Sequence, residues 1–232
     1  MISIIIPVFN ESEHLPELLA RIINVDFEES FEIIVVDDSY DDLTLKSAEP
    51  YMGKCKLQVI QRGKRLGLSS AVIKGFEQAS GNFLICMDGD GSHPPEKIPE
   101  LVKVLQAKEK MVIASRHVPG GGASSEWSMV RKLISKICTA VVRPITKIKD
   151  PMSGFFAITK EFFEDVRESL KPLSYKIGLE VAVKGNLRSV VEVPFKFEER
   201  KAGSSKVNLS VILGMIYHFF LLYCWKIFKR KV

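Results

Sequence analysis

Cysteine is scarce in this 232-residue chain, and what there is forms no pattern. Cys55, Cys86, Cys138 and Cys224 stand far apart, with no CxxC pair and no Cys/His cluster. That excludes a zinc site of the usual spacing and a disulfide framework, and points to a reducing compartment. Repeats and low-complexity tracts are also absent. With 46% hydrophobic and 26% charged residues, a disordered or collagen-like chain is excluded. No Gly-x-Gly-x-x-Gly follows the first apolar run, which removes the dinucleotide oxidoreductases. No leader precedes that run either, so the chain is expected to begin in the cytosol. Acid is missing from one place only: from Arg200 onward there are seven Lys or Arg and no Asp or Glu, within a net charge of +5. A basic end of this kind seeks an anionic surface, either phosphate or lipid headgroup.

What is present is a βαβα rhythm. Ile2–Ile6, Phe31–Val36, Leu57–Ile60, Phe83–Met87 and Met111–Ala114 read as buried strands. Glu13–Ile23, Thr44–Tyr51, Ser69–Ser80 and Glu96–Lys108 read as helices between and after them, the last begun by Pro94-Pro95-Glu96. Such alternation predicts an α/β fold with a mostly parallel sheet flanked by helices. In those sheets ligands bind beyond the carboxyl ends of the strands.

The residues that follow the strands are therefore the place to look for chemistry. They are Pro7-Val8-Phe9-Asn10-Glu11, Asp37-Asp38, Asp88-Gly89-Asp90 and Ser115-Arg116-His117. An acid after a strand often caps the next helix, but capping alone does not account for three acidic groups on one rim. Asp88 and Asp90 place two like charges on one tight turn, where they repel unless a cation sits with them. Hard carboxylate oxygens without nearby Cys or His select Mg²⁺ or Mn²⁺. Such a metal would bridge the diphosphate of a nucleotide sugar and neutralise charge on the leaving group. Further on, Met129–Val142 has helical spacing that puts Arg131 and Ser135 on one face. That face is either solvated or a phosphate contact.

Taken together and in order, these motifs resemble the inverting family-2 glycosyltransferases of the GT-A, Rossmann-like fold. Within them they are similar to the dolichyl- or polyprenyl-phosphate mannose synthases. The matching stretches run along nearly the whole chain. They are Ile6 to Glu11, Val35 to Asp38, Arg62-Gly63 with Gly67-Leu68 and Ala71, Met87 to Glu96, Ser115-Arg116, Gly120-Gly121, Asp150 with Ser153-Gly154-Phe155, and Glu192-Val193-Pro194 through Arg200, Gly203 and Ser205-Lys206. The resemblance implies transfer of a hexose, mannose from GDP-mannose, to a polyprenyl or dolichyl phosphate, with inversion. UDP-glucose as donor, or a non-catalytic nucleotide- and lipid-phosphate-binding homologue, are the alternatives. No nucleic acid is expected as a partner.

Residue by residue, the resemblance implies that Pro7, Phe9 and Glu11 border the base and ribose, Phe9 standing where Tyr is common. Val36 and Asp38 would contact the nucleobase or ribose. Asp88 and Asp90 would hold the metal and diphosphate, with Gly89 allowing close approach. Arg116, Arg131 and Ser135 would hold the acceptor phosphate, and Arg200 and Lys206 would close over the donor phosphates. Two departures stand out. Ser92 replaces a frequent Gln beside the metal, and Tyr40 and Leu43 replace small residues after Asp38. Elsewhere the plainer readings are preferred. Glu180 reads as a buried or loop-anchoring carboxylate rather than a base, and His93 and His117 read as hydrogen-bonding wall residues.

The two expected units are a catalytic domain over 1–206 and a hydrophobic, basic tail over 207–232. Val207–Phe228 is nearly all apolar and could just span a bilayer. Both its flanks are basic, however, and a full span would carry cations to the far side against the positive-inside bias. A tail inserted at the membrane surface, with the catalytic domain on the cytoplasmic face, fits better. A core helix or an oligomer contact is the other reading of this segment.

Overall fold

In the computed structural model, residues 1–122, 129–171, 176–187, 189–198 and 209–228 are described, the side chains of 129–132 and 209–212 excepted. Seven strands form one sheet in the order β3-β2-β1-β4-β6-β5-β7. They are β1 (Ile2–Val8), β2 (Phe31–Asp37), β3 (Lys56–Gln61), β4 (Phe83–Cys86), β5 (Met111–Ser115), β6 (Phe156–Thr159) and β7 (Val191–Pro194). Every pairing is parallel except those of β6, which runs against both β4 and β5. The central strands are runs of β-branched residues buried on both faces, as a sheet covered twice by helices requires.

Helices α1 (Leu15–Ile23), α2 (Leu43–Ala48), α3 (Leu68–Gln78), α4 (Ile98–Gln106), α5 (Met129–Val142), α6 (Lys160–Val166), α7 (Ile177–Lys184) and α8 (Leu209–Phe228) complete the chain. The expected elements of the first half and α5 all form. The predicted helix over 44–51 tightens into a 3₁₀ turn at Glu49–Tyr51, where Pro50 cannot donate an α-helical hydrogen bond. The 96–108 helix likewise opens with a 3₁₀ turn, Pro95–Lys97.

One core lies under α1 and α4, the other under α3, α6 and α7. A third, smaller cluster joins α5, α7 and α8 through Cys138, Val142, Leu179, Val183, Phe219 and Leu222. The inner face of the tail helix is thus packed against the domain. Among the described residues no helix is long and apolar enough to cross a membrane.

Candidate active site

Parallel β1, β2 and β4 end at the same rim, and β6, running the other way, begins there: Phe156 pairs with Cys86. The turn Asp88–Ser92 and the segment Asp150–Phe155 therefore face each other. Gly154 shows how closely. A Cβ added to it would stand 3.2 Å and 3.4 Å from the two carboxylate oxygens of Asp88. Gly89 has a similar role on the other side, since a Cβ there would lie 2.6 Å from Val8 Cγ1.

The Asp88–Asp90 turn is held from within. His93 is buried, accepts a hydrogen bond from the Asp88 amide at its Nδ1 (2.9 Å) and stacks on Phe155. It is a wall residue, as expected. The Ser92 amide and hydroxyl both donate to Asp90 Oδ1, at 3.0 and 2.5 Å. Ser92 thus orients a carboxylate. The Asp88 side chain is 30% exposed, and Asp90 is buried. Among the described residues no group of three or more His, Cys, Asp or Glu forms a metal cage. Two hard carboxylates at an accessible rim, with a glycine keeping the space before Asp88 clear, fit a divalent ion that takes its remaining oxygens from substrate and water.

On the β2 side, Asp38 is fully engaged. Its carboxylate accepts from Arg62 Nε (2.5 Å), Leu66 N (2.8 Å) and Gly67 N (2.9 Å), so it fixes the 62–67 loop. Val36 is buried in the core, and Pro7 is buried as well. Phe9 and Glu11 are half-buried at the rim.

On the β5 side, Arg116 makes a two-pronged ion pair with Asp150, Nε to Oδ2 and Nη2 to Oδ1, each at 2.7 Å. Its own amide also donates to Asp150 Oδ2 at 2.9 Å. Burial pushes the Asp150 carboxyl up, but the bonds and charge of Arg116 outweigh it and hold it below the usual range. Glu192 accepts from the amides of Lys149 and Asp150, each at 2.9 Å, and so fixes the partner in turn. Ser135 lies on α5 with its Oγ buried and without a hydrogen-bond partner among the described residues. The Arg131 side chain, Arg200 and Lys206 lie outside what is described. The chain leading toward Arg200 passes the Asp88–Ser92 turn, since the Glu198 amide donates to Ser92 O at 3.1 Å.

Three residues at this site carry no role in the sequence reading. Asp150 and Gly154 sit in a quoted motif that received no role, although the motif itself was the signal. Lys176 had no signal at all. It donates to Met152 O at 2.8 Å and feels Arg116, Asp88 and Asp150 electrostatically. Burial and then Arg116 depress its pKa, while the two carboxylates oppose them. Glu180 is buried as expected, bonding Lys184 Nζ (2.5 Å) and the Lys171 amide (2.8 Å), with His218 Nε2 of α8 at 3.3 Å. Burial pushes its carboxyl up, but His218 and Lys184 prevail and hold it down.

Relatives agree with this architecture. A dolichol-phosphate mannosyltransferase of Pyrococcus furiosus is 44% identical over 229 residues, covering 97% of this chain and 64% of its own length. The chain therefore spans somewhat less than two thirds of that relative. The Saccharomyces cerevisiae protein of the same name is 33% identical, with 97% of this chain and 87% of its own covered. Among solved structures, glucosyl-3-phosphoglycerate synthase of Mycobacterium tuberculosis superposes with a TM-score of 0.68 at 20% identity, covering 97% and 79% of the two chains. A mannosyltransferase of Pyrobaculum calidifontis, solved with GDP-Man and Mn²⁺, gives 0.64 at 18%, covering 88% and 58%. Residues 3–167 match Glycosyl transferase family 2, and the chain belongs to that family.

Proposed function

We propose that the chain transfers mannose from GDP-mannose to a polyprenyl or dolichyl phosphate, with inversion at the anomeric carbon and with Mg²⁺ or Mn²⁺. One observation carries the reading. A single rim sets the Asp88/Asp90 pair, suited to a metal and diphosphate, against the Asp150–Phe155 segment, whose Asp150 locks the guanidinium of Arg116 in place. Relatives named for this activity at 33–44% identity point the same way.

Bound at Asp88 and Asp90, the metal would supply charge neutralisation to the departing diphosphate. The rest falls to the chain. A lipid phosphate monoester has its second pKa near about 6 and is mostly dianionic at neutral pH, so it needs no general base. Its oxygen bonds to the anomeric carbon as the bond to the nucleoside diphosphate breaks, and the electron pair leaves with GDP. The obstacle is bringing two anions together, which Arg116, Arg131 and Ser135 relieve on the acceptor side. Asp150 fixes the Arg116 fork before the acceptor arrives, so little ordering remains at binding. Lys176 adds positive charge between the two halves when protonated, and Arg200 and Lys206 would close over the donor phosphates. Ser92 orients the Asp90 carboxylate, and His93 holds the backbone of Asp88.

The domain would work at a membrane surface, drawing its donor from the cytoplasmic side. On α5, Leu133, Ile137 and Val141 form an exposed apolar row at four-residue spacing. On α8, Leu213, Ile216, Tyr217 and Phe220 are more than half exposed. Two adjoining apolar helix faces followed by a basic terminus suit peripheral insertion.

The test is incubation with radiolabelled GDP-mannose or UDP-glucose, polyprenyl phosphate in anionic vesicles, and Mn²⁺. Labelled mannosyl lipid is expected, with the protein sedimenting with the vesicles. Label from neither donor overturns the transferase reading, and protein left in the supernatant overturns the membrane reading.

A further inference from the structure

An arginine from α1 grips the loop that carries Asp88 and Asp90. The Ser92 carbonyl accepts from the Glu198 amide at 3.1 Å, and the Glu198 carboxylate reaches on to Arg21, in the last turn of α1. Nη1 and Nη2 of Arg21 donate to the two Glu198 oxygens at 2.7 and 3.1 Å. The other edge of the same guanidinium, Nε and Nη2, donates to the two Glu96 oxygens at 3.1 and 2.8 Å. Glu96 lies in the 3₁₀ turn Pro95–Lys97, where the loop passes into α4. One side chain thus holds the loop twice, at its middle through Glu198 and at its end through Glu96.

The grip sits next to the site. Arg21, Glu198, Asp90 and Gly91 line one small cleft of about 30 Å³. Backbone bonds to Ser115 and Gly122 hold the incoming segment as far as Phe197, and Glu198 is then held by Ser92 and Arg21. Ion pairs as exposed as these contribute little to stability. What they do supply is direction, because a planar guanidinium fixes both carboxylates through its two edges, which a lysine ammonium cannot do. Without Arg21 the two acids would face each other unscreened and repel.

We propose that Arg21 is a positioning residue for the metal site, acting through Glu198 and Ser92 to fix Asp90 before a divalent ion arrives. The connection is continuous: Arg21 bonds Glu198, the Glu198 amide bonds Ser92, and the Ser92 amide and hydroxyl bond Asp90 Oδ1. Residues that orient a metal's ligands commonly set its affinity by about ten- to a hundredfold. Arg21 acts through two residues, so the lower figure applies. Charge alone predicts the opposite sign, since deleting a cation near Asp90 should draw a metal ion in more strongly. The inference rests on the metal reading of Asp88 and Asp90 above.

Titration of Mn²⁺ into the full chain with GDP or UDP present, the free ion followed by electron paramagnetic resonance, tests it. Arg21→Met keeps the length of the stem and should bind Mn²⁺ about tenfold more weakly than wild type. Arg21→Lys should recover little of that loss. Glu198→Ala keeps the amide to Ser92 but cuts the link to α1, and should weaken Mn²⁺ by about the same factor. The double variant Arg21→Met/Glu198→Ala should lose no more than either single one, because both break one connection. Melting temperatures should move little in all of them, so the affinities are those of folded protein. Wild-type affinity in Arg21→Met overturns the proposal. So does tighter binding, which would make Arg21 a charge and nothing more, and so does full recovery in Arg21→Lys. A wild type that takes up no Mn²⁺ with either nucleotide overturns the metal reading and this proposal with it.

Discussion

The two sides of the sheet solve the same problem differently. From β3 to β4, each rim residue directly follows its own strand: Asp38 after β2, Asp88 and Asp90 after β4, of which Asp88 is the most exposed. From β6 to β7 and in the helices beyond, the charges are buried in pairs, some of them between elements far apart in the chain. Arg116 holds Asp150, Glu192 holds the Asp150 amide, and Glu180 joins Lys184 and His218. The first side is assembled from local βα units, whereas the second depends on partners that must find one another. Buried pairs contribute little net stability, but losing one member leaves a naked charge. A change at Glu180 should therefore hurt folding, where a change at Asp90 hurts chemistry.

The largest expected effect is Asp90→Asn. It keeps an oxygen for the Ser92 bonds but removes the charge. Turnover should fall about a thousandfold while the melting temperature moves little. A large loss of stability with activity retained per folded molecule would break the contrast. Glu180→Ala is the counterpart. It leaves the buried Lys184 ammonium unpaired and should cost about 3 kcal/mol, a fall of about 6–12 °C in a thermal melt. Replacing Glu180 by Leu and Lys184 by Met together should recover most of it. Stability unchanged in Glu180→Ala would show that this cluster does not hold α8.

The third effect is smaller and concerns a buried carboxylate on the β1–β3 side. Glu32 at the start of β2 is buried; burial pushes its carboxyl up, yet bonds from Lys56, Ser3 and Ser80 hold it at about 2. A depressed carboxylate stabilises above its unfolded pKa and loses that contribution as pH falls through the folded one. Glu32→Gln should thus lose about 2 kcal/mol at pH 6, discounted because Lys56 is largely exposed, and converge with wild type near pH 2. Parallel urea-stability curves for the two proteins across this range would sink the prediction.

The same division explains what could be read from the chain in advance. Strands β1 to β5 announce themselves as short β-branched runs between helical patterns, and Asp88-Gly89-Asp90 follows one of them directly. Nothing local marks β6 and β7, four residues each, whose pairing is fixed by β4 and β5. Lys176 enters the site only because α7 starts beside Met152. The loop-anchoring bonds of Asp38 were not legible, since all three go to a loop that is far away in sequence. Tail amphipathicity was hard to see because α8 is apolar nearly all round, and only packing distinguishes Phe219 and Leu222 from Phe220.

The reversed strand β6 has a further consequence. Because it starts at the rim, everything between Ser115 and Phe156 departs from that rim and returns to it. The excursion carries α5 with Ser135, and Arg116 and Asp150 clasp it at its neck. The entropic cost of closing such a loop grows only logarithmically with its length. The stretch thus hangs on its clasp, and its length can change with the parallel strands in place so long as Cys138 and Val142 keep their packing on α7 and α8.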